Sequence, residues 1–177
     1  MTDDSLIAYI SESTDNCKLA LTDRSYRTKY QREMKEKNKG KPKGDHDNEP
    51  IPINFNLGTL GDAVLRLSLT EILYHNGKEI DISEERKKYE PDKVLVEKIA
   101  PYYGLREILR FDDENEDKNH GYDYWEYKGS GDHPQKFLAT AMEALLGAYY
   151  LDHDESMGEV EQVVRKWMEI VDGNQND

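Results

Sequence analysis

Two apolar stretches far apart in the chain, each carrying a single carboxylate, constrain this protein more than any other feature. Asn54-Phe55-Asn56-Leu57-Gly58-Thr59-Leu60-Gly61-Asp62-Ala63-Val64-Leu65 holds Asp62, and Leu138-Ala139-Thr140-Ala141-Met142-Glu143-Ala144-Leu145-Leu146-Gly147-Ala148 holds Glu143. Apolar residues at Leu57, Leu60, Val64, Leu67, Leu69, Ile72 and Leu73 recur with roughly helical spacing. The first stretch is therefore predicted to be a helix running to Tyr74 and stopped by His75-Asn76-Gly77; the second opens at Pro134 and runs to about Leu151. An ionised carboxylate among apolar residues is costly unless it is paired. Two such acids, one per helix, ask for a shared explanation, such as a metal ion held by oxygen ligands.

The remaining elements also read as helical. Leu6, Ile7, Tyr9 and Ile10, then Leu19 and Leu21, form apolar clusters around the turn-like Ser13-Thr14-Asp15-Asn16, which gives two short helices. Ser83 is read as the N-cap of a helix with Glu84 and Glu85 in its first turn. Pro91 and Asp92 restart a helix that Pro101 breaks, and Leu105, Ile108 and Leu109 mark another. Residues 112–133 form a long polar connection containing Tyr122, Tyr124, Trp125 and Tyr127. A final amphipathic helix carries Val160, Val163, Val164, Trp167, Met168, Ile170 and Val171 and ends near Gly173. The expected fold is all-α and a single domain over residues 1–177, with one interrupting insertion at about 27–50.

Charge is distributed unevenly. The formal net charge is −13, which suits cation binding and argues against a whole surface built for a phosphate backbone. Yet residues 27–44 hold Arg27, Lys29, Arg32, Lys35, Lys37, Lys39, Lys41 and Lys43 against only Glu33 and Glu36. Gly40, Pro42, Gly44 and Pro50 mark the C-terminal half of this run as a mobile loop. The lone Cys17 cannot form an intrachain disulfide and reads as a small buried hydrophobe. No secretory leader or membrane-spanning run is visible, so a cytoplasmic location is expected, with no membrane partner.

Leu57-x-x-Leu60-Gly61-Asp62-Ala63-Val64-Leu65 and Glu143-Ala144-Leu145-Leu146-Gly147-Ala148-Tyr149-Tyr150-Leu151-Asp152 resemble the two motifs of the ribonuclease III endonuclease domain, as does Leu19-Ala20-Leu21-Thr22-Asp23-Arg24-Ser25-Tyr26. The three matches occur in the family's order, and the glycine-containing Gly129-Ser130-Gly131 falls where the family has such a connection. The resemblance implies an all-α ribonuclease III endonuclease domain, acting as a homodimer on double-stranded RNA with Mg²⁺, or Mn²⁺, as cofactor. It also locates departures. Phe55 and Gly58 stand where the family has glutamates, Thr140 stands where it has an aspartate, and Thr59 occupies the position of a bulky residue that plugs into the partner subunit. Position 58 lies one helical turn from Asp62 and 140 one turn from Glu143, so the family's four acids line one wall between two helices. The Mini-ribonuclease III branch is similar at these places, with a small residue before x-x-Gly-Asp-Ala and a motif like Ala139-Thr140-Ala141-Met142-Glu143-Ala144-Leu145-Leu146-Gly147, whereas residues 19–26 resemble the longer bacterial enzymes.

On that resemblance, Asp62 and Glu143 are the expected catalytic metal ligands, and the expected activity is metal-dependent cleavage of double-stranded or structured RNA. The alternative is a catalytically impaired module acting in RNA binding or ribosome and ribonucleoprotein assembly. Only 26 residues follow Leu151, too few for the double-stranded-RNA-binding domain that usually follows. RNA contact is then expected from the catalytic domain, from the basic residues Arg27, Lys29, Arg32, Lys35, Lys37, Lys39, Lys41 and Lys43, or from an RNA-binding helper protein. Each residue also has a plainer reading. Asp62 can pair with Arg66 at i+4, the lysines can belong to a solvated loop, and Tyr122, Tyr124, Trp125 and Tyr127 can pack rather than stack on bases. His46, His75, His120, His133 and His153 lack metal-ligand spacing and are expected at the surface.

Overall fold

The computed structural model describes residues 4–37, 39, 52–76, 79–111 and 135–173. Lys41, Lys43, the aromatic group at 122–127 and Gly129-Ser130-Gly131 lie outside them. The described residues form α1 (Ser5–Glu12), α2 (Asp15–Ala20), α3 (Arg24–Lys37), α4 (Phe55–His75), α5 (Ile82–Arg86), α6 (Asp92–Val94), a π-helical turn (Leu95–Ile99), α7 (Ala100–Tyr102), α8 (Leu105–Ile108), α9 (Lys136–Asp152) and α10 (Met157–Val171). Among them the only strand-like pairing is a single parallel bridge between Thr22 and Arg110. The all-α expectation holds.

The core is organised around α9. Leu138, Ala139, Ala141, Met142, Ala144, Leu145, Leu146, Ala148 and Tyr149 are all buried, so this helix is apolar nearly all round and other helices wrap it. Its most extensive partner among the described residues is α4. Packed against both α4 and α9, α10 is amphipathic and buries Val160, Val163, Val164, Trp167 and Ile170. Each of these large side chains contributes roughly 1.5–3 kcal/mol on leaving water.

Three local readings are corrected. The N-cap before α5 is Asp81, whose carboxylate accepts from the backbone N–H groups of Ser83 and Glu84 at 2.9 and 3.2 Å, so Ser83 sits inside the helix. Pro101 does not break its helix. The π-turn ends with the Ala100 N–H donating to Leu95 O, and Pro101 then occupies the first turn of α7, where a missing donor is tolerated. The chain leaves only at Gly104, with φ +57. His153 is half-buried rather than on the surface: it stacks on Tyr149 at 3.9 Å, and its Nδ1 lies 2.8 Å from Tyr149 O.

The C-terminal end of α9 is tied to the first two helices. Asp152 accepts hydrogen bonds from Tyr9 Oη at 2.7 Å, Thr14 Oγ1 at 2.6 Å and Asn16 Nδ2 at 2.6 Å. Burial would raise its carboxyl, but the hydrogen bonds from Thr14, Tyr9 and Asn16 outweigh that and hold it below the usual carboxylate range. Asp152→Ala is expected to cost roughly 2 kcal/mol, because hydrogen bonds to a charged group are lost and the mostly buried Tyr9 hydroxyl loses an acceptor. A group with a depressed folded-state pKa stabilises above its unfolded value. Wild-type stability should therefore fall as pH drops through the acid range, and urea unfolding of Asp152→Ala should show a shallower fall.

Candidate active site

The two acids meet because two backbones touch. A Cβ on Gly61 would lie 1.7 Å from the Glu143 carbonyl oxygen, and one on Gly147 would lie 2.5 Å from Leu57 O. Only glycine at both points permits α4 and α9 to approach this closely. Asp62 follows the first contact and Glu143 provides it, so the crossing itself places both acids beside one cavity of about 390 Å³. Gly58 and Thr140 line it too, so all four positions of the predicted wall stand together. A Cβ on Gly58 would lie 3.0 Å from Thr140 Cγ2, which makes these two substitutions a matched pair: the Thr140 methyl fills space beside the missing side chain.

Other segments close the cavity. Asn54 is buried at the start of α4; its N–H donates to Thr22 O at 3.0 Å and its Nδ2 to Ala20 O at 3.2 Å, which ties α4 to the chain leaving α2. Asp23 is buried and accepts from the Ser25 N–H at 2.9 Å and the Ser25 hydroxyl at 2.6 Å, so it caps the start of α3 and sets Arg24 at the cavity. Across it, Asp92 and Lys136 form an ion pair at 3.3 Å.

Asp62 is less buried than its apolar surroundings suggested. Its side chain is 43% exposed and pairs with Arg66 at 3.4 Å, the i+4 partner expected on the plainer reading. At such exposure an ion pair contributes about 0–1 kcal/mol, so Arg66 does not hold the acid firmly. Glu143 differs. Burial, then the charges of Asp62 and Asp92, push its carboxyl up to about 8, outweighing the opposing Lys136 and Arg66. Asp92 and Lys136 escaped sequence reading because an acid after a proline and a lysine at a helix start look like ordinary helix-terminal residues.

This environment fits a divalent cation: Glu143 faces other acids and needs positive charge to ionise near neutral pH. Among the described residues no group of three or more His, Cys, Asp or Glu side chains could hold a metal ion. Two carboxylates, with substrate phosphates and waters completing the shell, is an arrangement Mg²⁺ takes. A linked stability effect follows without metal. Unfolded glutamate titrates near pH ~4.3, so between that value and about 8 the native state binds the extra proton. Stability should therefore decline as pH rises through this window, by at most about 1.4 kcal/mol per pH unit from this group, and added Mg²⁺ should reverse the decline in a thermal-melt series.

The predicted basic residues occupy a helix. Arg27 and Lys29 are half-buried and Arg32, Lys35 and Lys37 exposed on α3, with Lys39 exposed just beyond. Helix formation through the first half of the lysine-rich run was not expected. Arg, Lys, Glu, Gln and Met are all good helix formers, and a run without apolar periodicity conceals that.

Comparison with known proteins places this architecture. The Ribonuclease III domain model matches residues 56–154. Ribonuclease 3 of Delftia acidovorans is 34% identical over 124 residues, covering 68% of this chain and 48% of the relative. Ribonuclease 3 of Shewanella loihica is 34% identical over 104 residues, covering 57% of this chain and 41% of the relative. This chain thus spans less than half the length of these relatives. A crystal structure of the nuclease domain of ribonuclease III from Campylobacter jejuni superposes with a TM-score of 0.57 at 22% identity, covering 100% of this chain and 99% of that one. A second structure of that nuclease domain, described for structural flexibility in a region involved in dimer formation, gives a TM-score of 0.56 at 21% identity over 96% of this chain and 88% of that one. On the strength of the matched domain model, this chain belongs to the ribonuclease III domain family.

Proposed function

We propose that this protein is a metal-dependent endoribonuclease that cleaves double-stranded or structured RNA. The observation that carries this reading is the cavity at the α4–α9 crossing, where Asp62 and Glu143 stand together and the Glu143 carboxyl is pushed up to about 8 by burial and neighbouring acids. Asp62 and Glu143 would hold Mg²⁺ or Mn²⁺, with Asp92 adding negative charge nearby. When bound, the ion supplies activation of a water and stabilisation of the leaving 3′ oxygen. The chain's own part is electrostatic and positional. Asp62 keeps an exposed carboxylate at the mouth, and Glu143 gives up its proton when positive charge arrives. Arg24 and Lys136 flank the cavity with charge suited to a phosphodiester.

Arg27, Lys29, Arg32, Lys35, Lys37 and Lys39, with Lys41 and Lys43 beyond, belong to the same proposal as contacts that position the RNA backbone. So does homodimerisation. Phe55 is 66% exposed and stands one turn before the exposed Thr59, so it supplies an apolar side chain close to the plug position. A reducing, cytoplasmic setting is proposed from the free, buried Cys17. Among the described residues no helix is long and apolar enough to cross a membrane.

The matched Gly58–Thr140 pair favours one second reading, a family member that keeps RNA binding or assembly and has lost cleavage. The two separate on one assay: a long RNA duplex with Mg²⁺ or Mn²⁺. Cleavage that disappears in Asp62→Asn and Glu143→Gln supports the nuclease; an intact duplex at high protein and Mn²⁺ supports the second reading.

A further inference from the structure

A second cavity, of about 590 Å³, lies on the other side of the start of α3, lined by Tyr26, Lys29, Arg106, Glu107, Arg110 and Phe111. Among the described residues, three cationic side chains and one carboxylate line it, in a chain whose formal net charge is −13. The site is built rather than incidental. The Arg110 N–H donates to Leu21 O at 2.9 Å, and its carbonyl accepts from the Asp23 N–H at 2.9 Å, so its backbone is clamped on both sides while the side chain stays exposed. That clamp joins the two cavities, since Asp23 lines the acidic one. Phe111 in the basic cavity also stacks on Phe137 in the acidic one, with ring centroids 5.5 Å apart. With a cation held in the acidic cavity, a ligand reaching from one cavity to the other meets positive charge at both and suits it by presenting negative charge at intervals. A nucleic-acid strand does so, and exposed Arg32, Lys35 and Lys37 continue the positive charge along α3.

We propose that this basic cavity is a phosphate subsite, in which Lys29, Arg106 and Arg110 hold a backbone phosphate of the RNA strand that also crosses the acidic cavity. It rests on the RNA reading above and adds residues from α8 and the bridge that follows it, outside the lysine-rich run. Arginine forks suit a phosphate bidentately.

The test is binding of a short blunt RNA duplex, followed by anisotropy across a salt series without Mg²⁺, alongside duplex cleavage with Mg²⁺. Arg106→Ala and Arg110→Ala should each weaken binding severalfold and lower the salt slope by roughly one. Arg110→Lys should restore the slope more than the affinity, a result that distinguishes a lost phosphate contact from a misfolded variant. If wild type cleaves RNA but these variants bind as it does, the subsite is overturned and the nuclease reading stands. Duplex binding that depends on both arginines, without cleavage, would sink the nuclease reading and keep the subsite. Wild type that binds no duplex overturns the subsite.

Discussion

Glu143→Gln is expected to lower duplex cleavage by at least about a hundredfold while making the metal-free protein more stable above neutral pH. Loss of an outer partner of a metal ligand already costs about 10–100-fold, and here one of only two proposed carboxylate ligands is removed. The stability gain has the opposite origin. With its carboxyl pushed up to about 8, Glu143 must either hold a proton that the unfolded chain has released or, at higher pH, carry a charge that burial and the neighbouring Asp62 and Asp92 oppose. Glutamine keeps the shape and drops the charge, so the decline in stability between about pH 4 and about pH 8 should flatten. Asp62→Asn should lower cleavage by a similar factor with little change in stability, because that side chain is 43% exposed. Single-turnover cleavage and thermal melts across pH measure both. Unaltered cleavage in Glu143→Gln would remove this residue from the chemistry.

Gly61→Ala should cost roughly 3 kcal/mol or more, because among the described glycines a Cβ at this one makes the shortest contact. Overpacking a core usually costs about 1–3 kcal/mol because side chains can shift. Here the added carbon would stand 1.7 Å from a backbone oxygen of α9, which can yield only if the two helices part. Replacing a mid-helix glycine returns at most about 1 kcal/mol of helix propensity, too little to offset the clash. Gly58→Ala is the control. Its new carbon meets the Thr140 methyl at 3.0 Å and the Thr140 carbonyl oxygen at 3.3 Å, contacts that a shift of a few tenths of an ångström relieves, so its midpoint in urea should fall far less than that of Gly61→Ala. A Gly61→Ala midpoint that falls no further would mean that the helices do not cross as described.

The sequence was most informative where apolar periodicity was strong. The predicted helices correspond to α4, α9 and α10, and Asp62 and Glu143 share a cavity because the glycines flanking them set the helix crossing. It was least informative where function depends on residues brought in from other segments. Asp92, Lys136, Arg106 and Arg110 are ordinary charged residues at helix ends, and their significance comes from what the fold puts beside them. Helix α3 was hidden because its residues favour helix individually but present no apolar stripe. The π-turn was hidden because a proline was read through the ordinary i−4 pattern, which a five-residue hydrogen-bonded loop evades.

The anchoring of Asp152 to Tyr9, Thr14 and Asn16 bears on the alignment of parts that it never touches. A helix pressed against another can still creep along its axis or roll, and a one-residue slip would move Glu143 by about 1.5 Å and turn it by about 100°. The glycine crossing resists creep over one short span of α9, from Glu143 to Gly147. The triple hold on Asp152 adds a second, about 13 Å further along the same rod at 1.5 Å per residue. Two fixed points on one rod determine both its position and its roll, so the aim of Glu143 into the cavity is calibrated partly by the first sixteen residues of the chain.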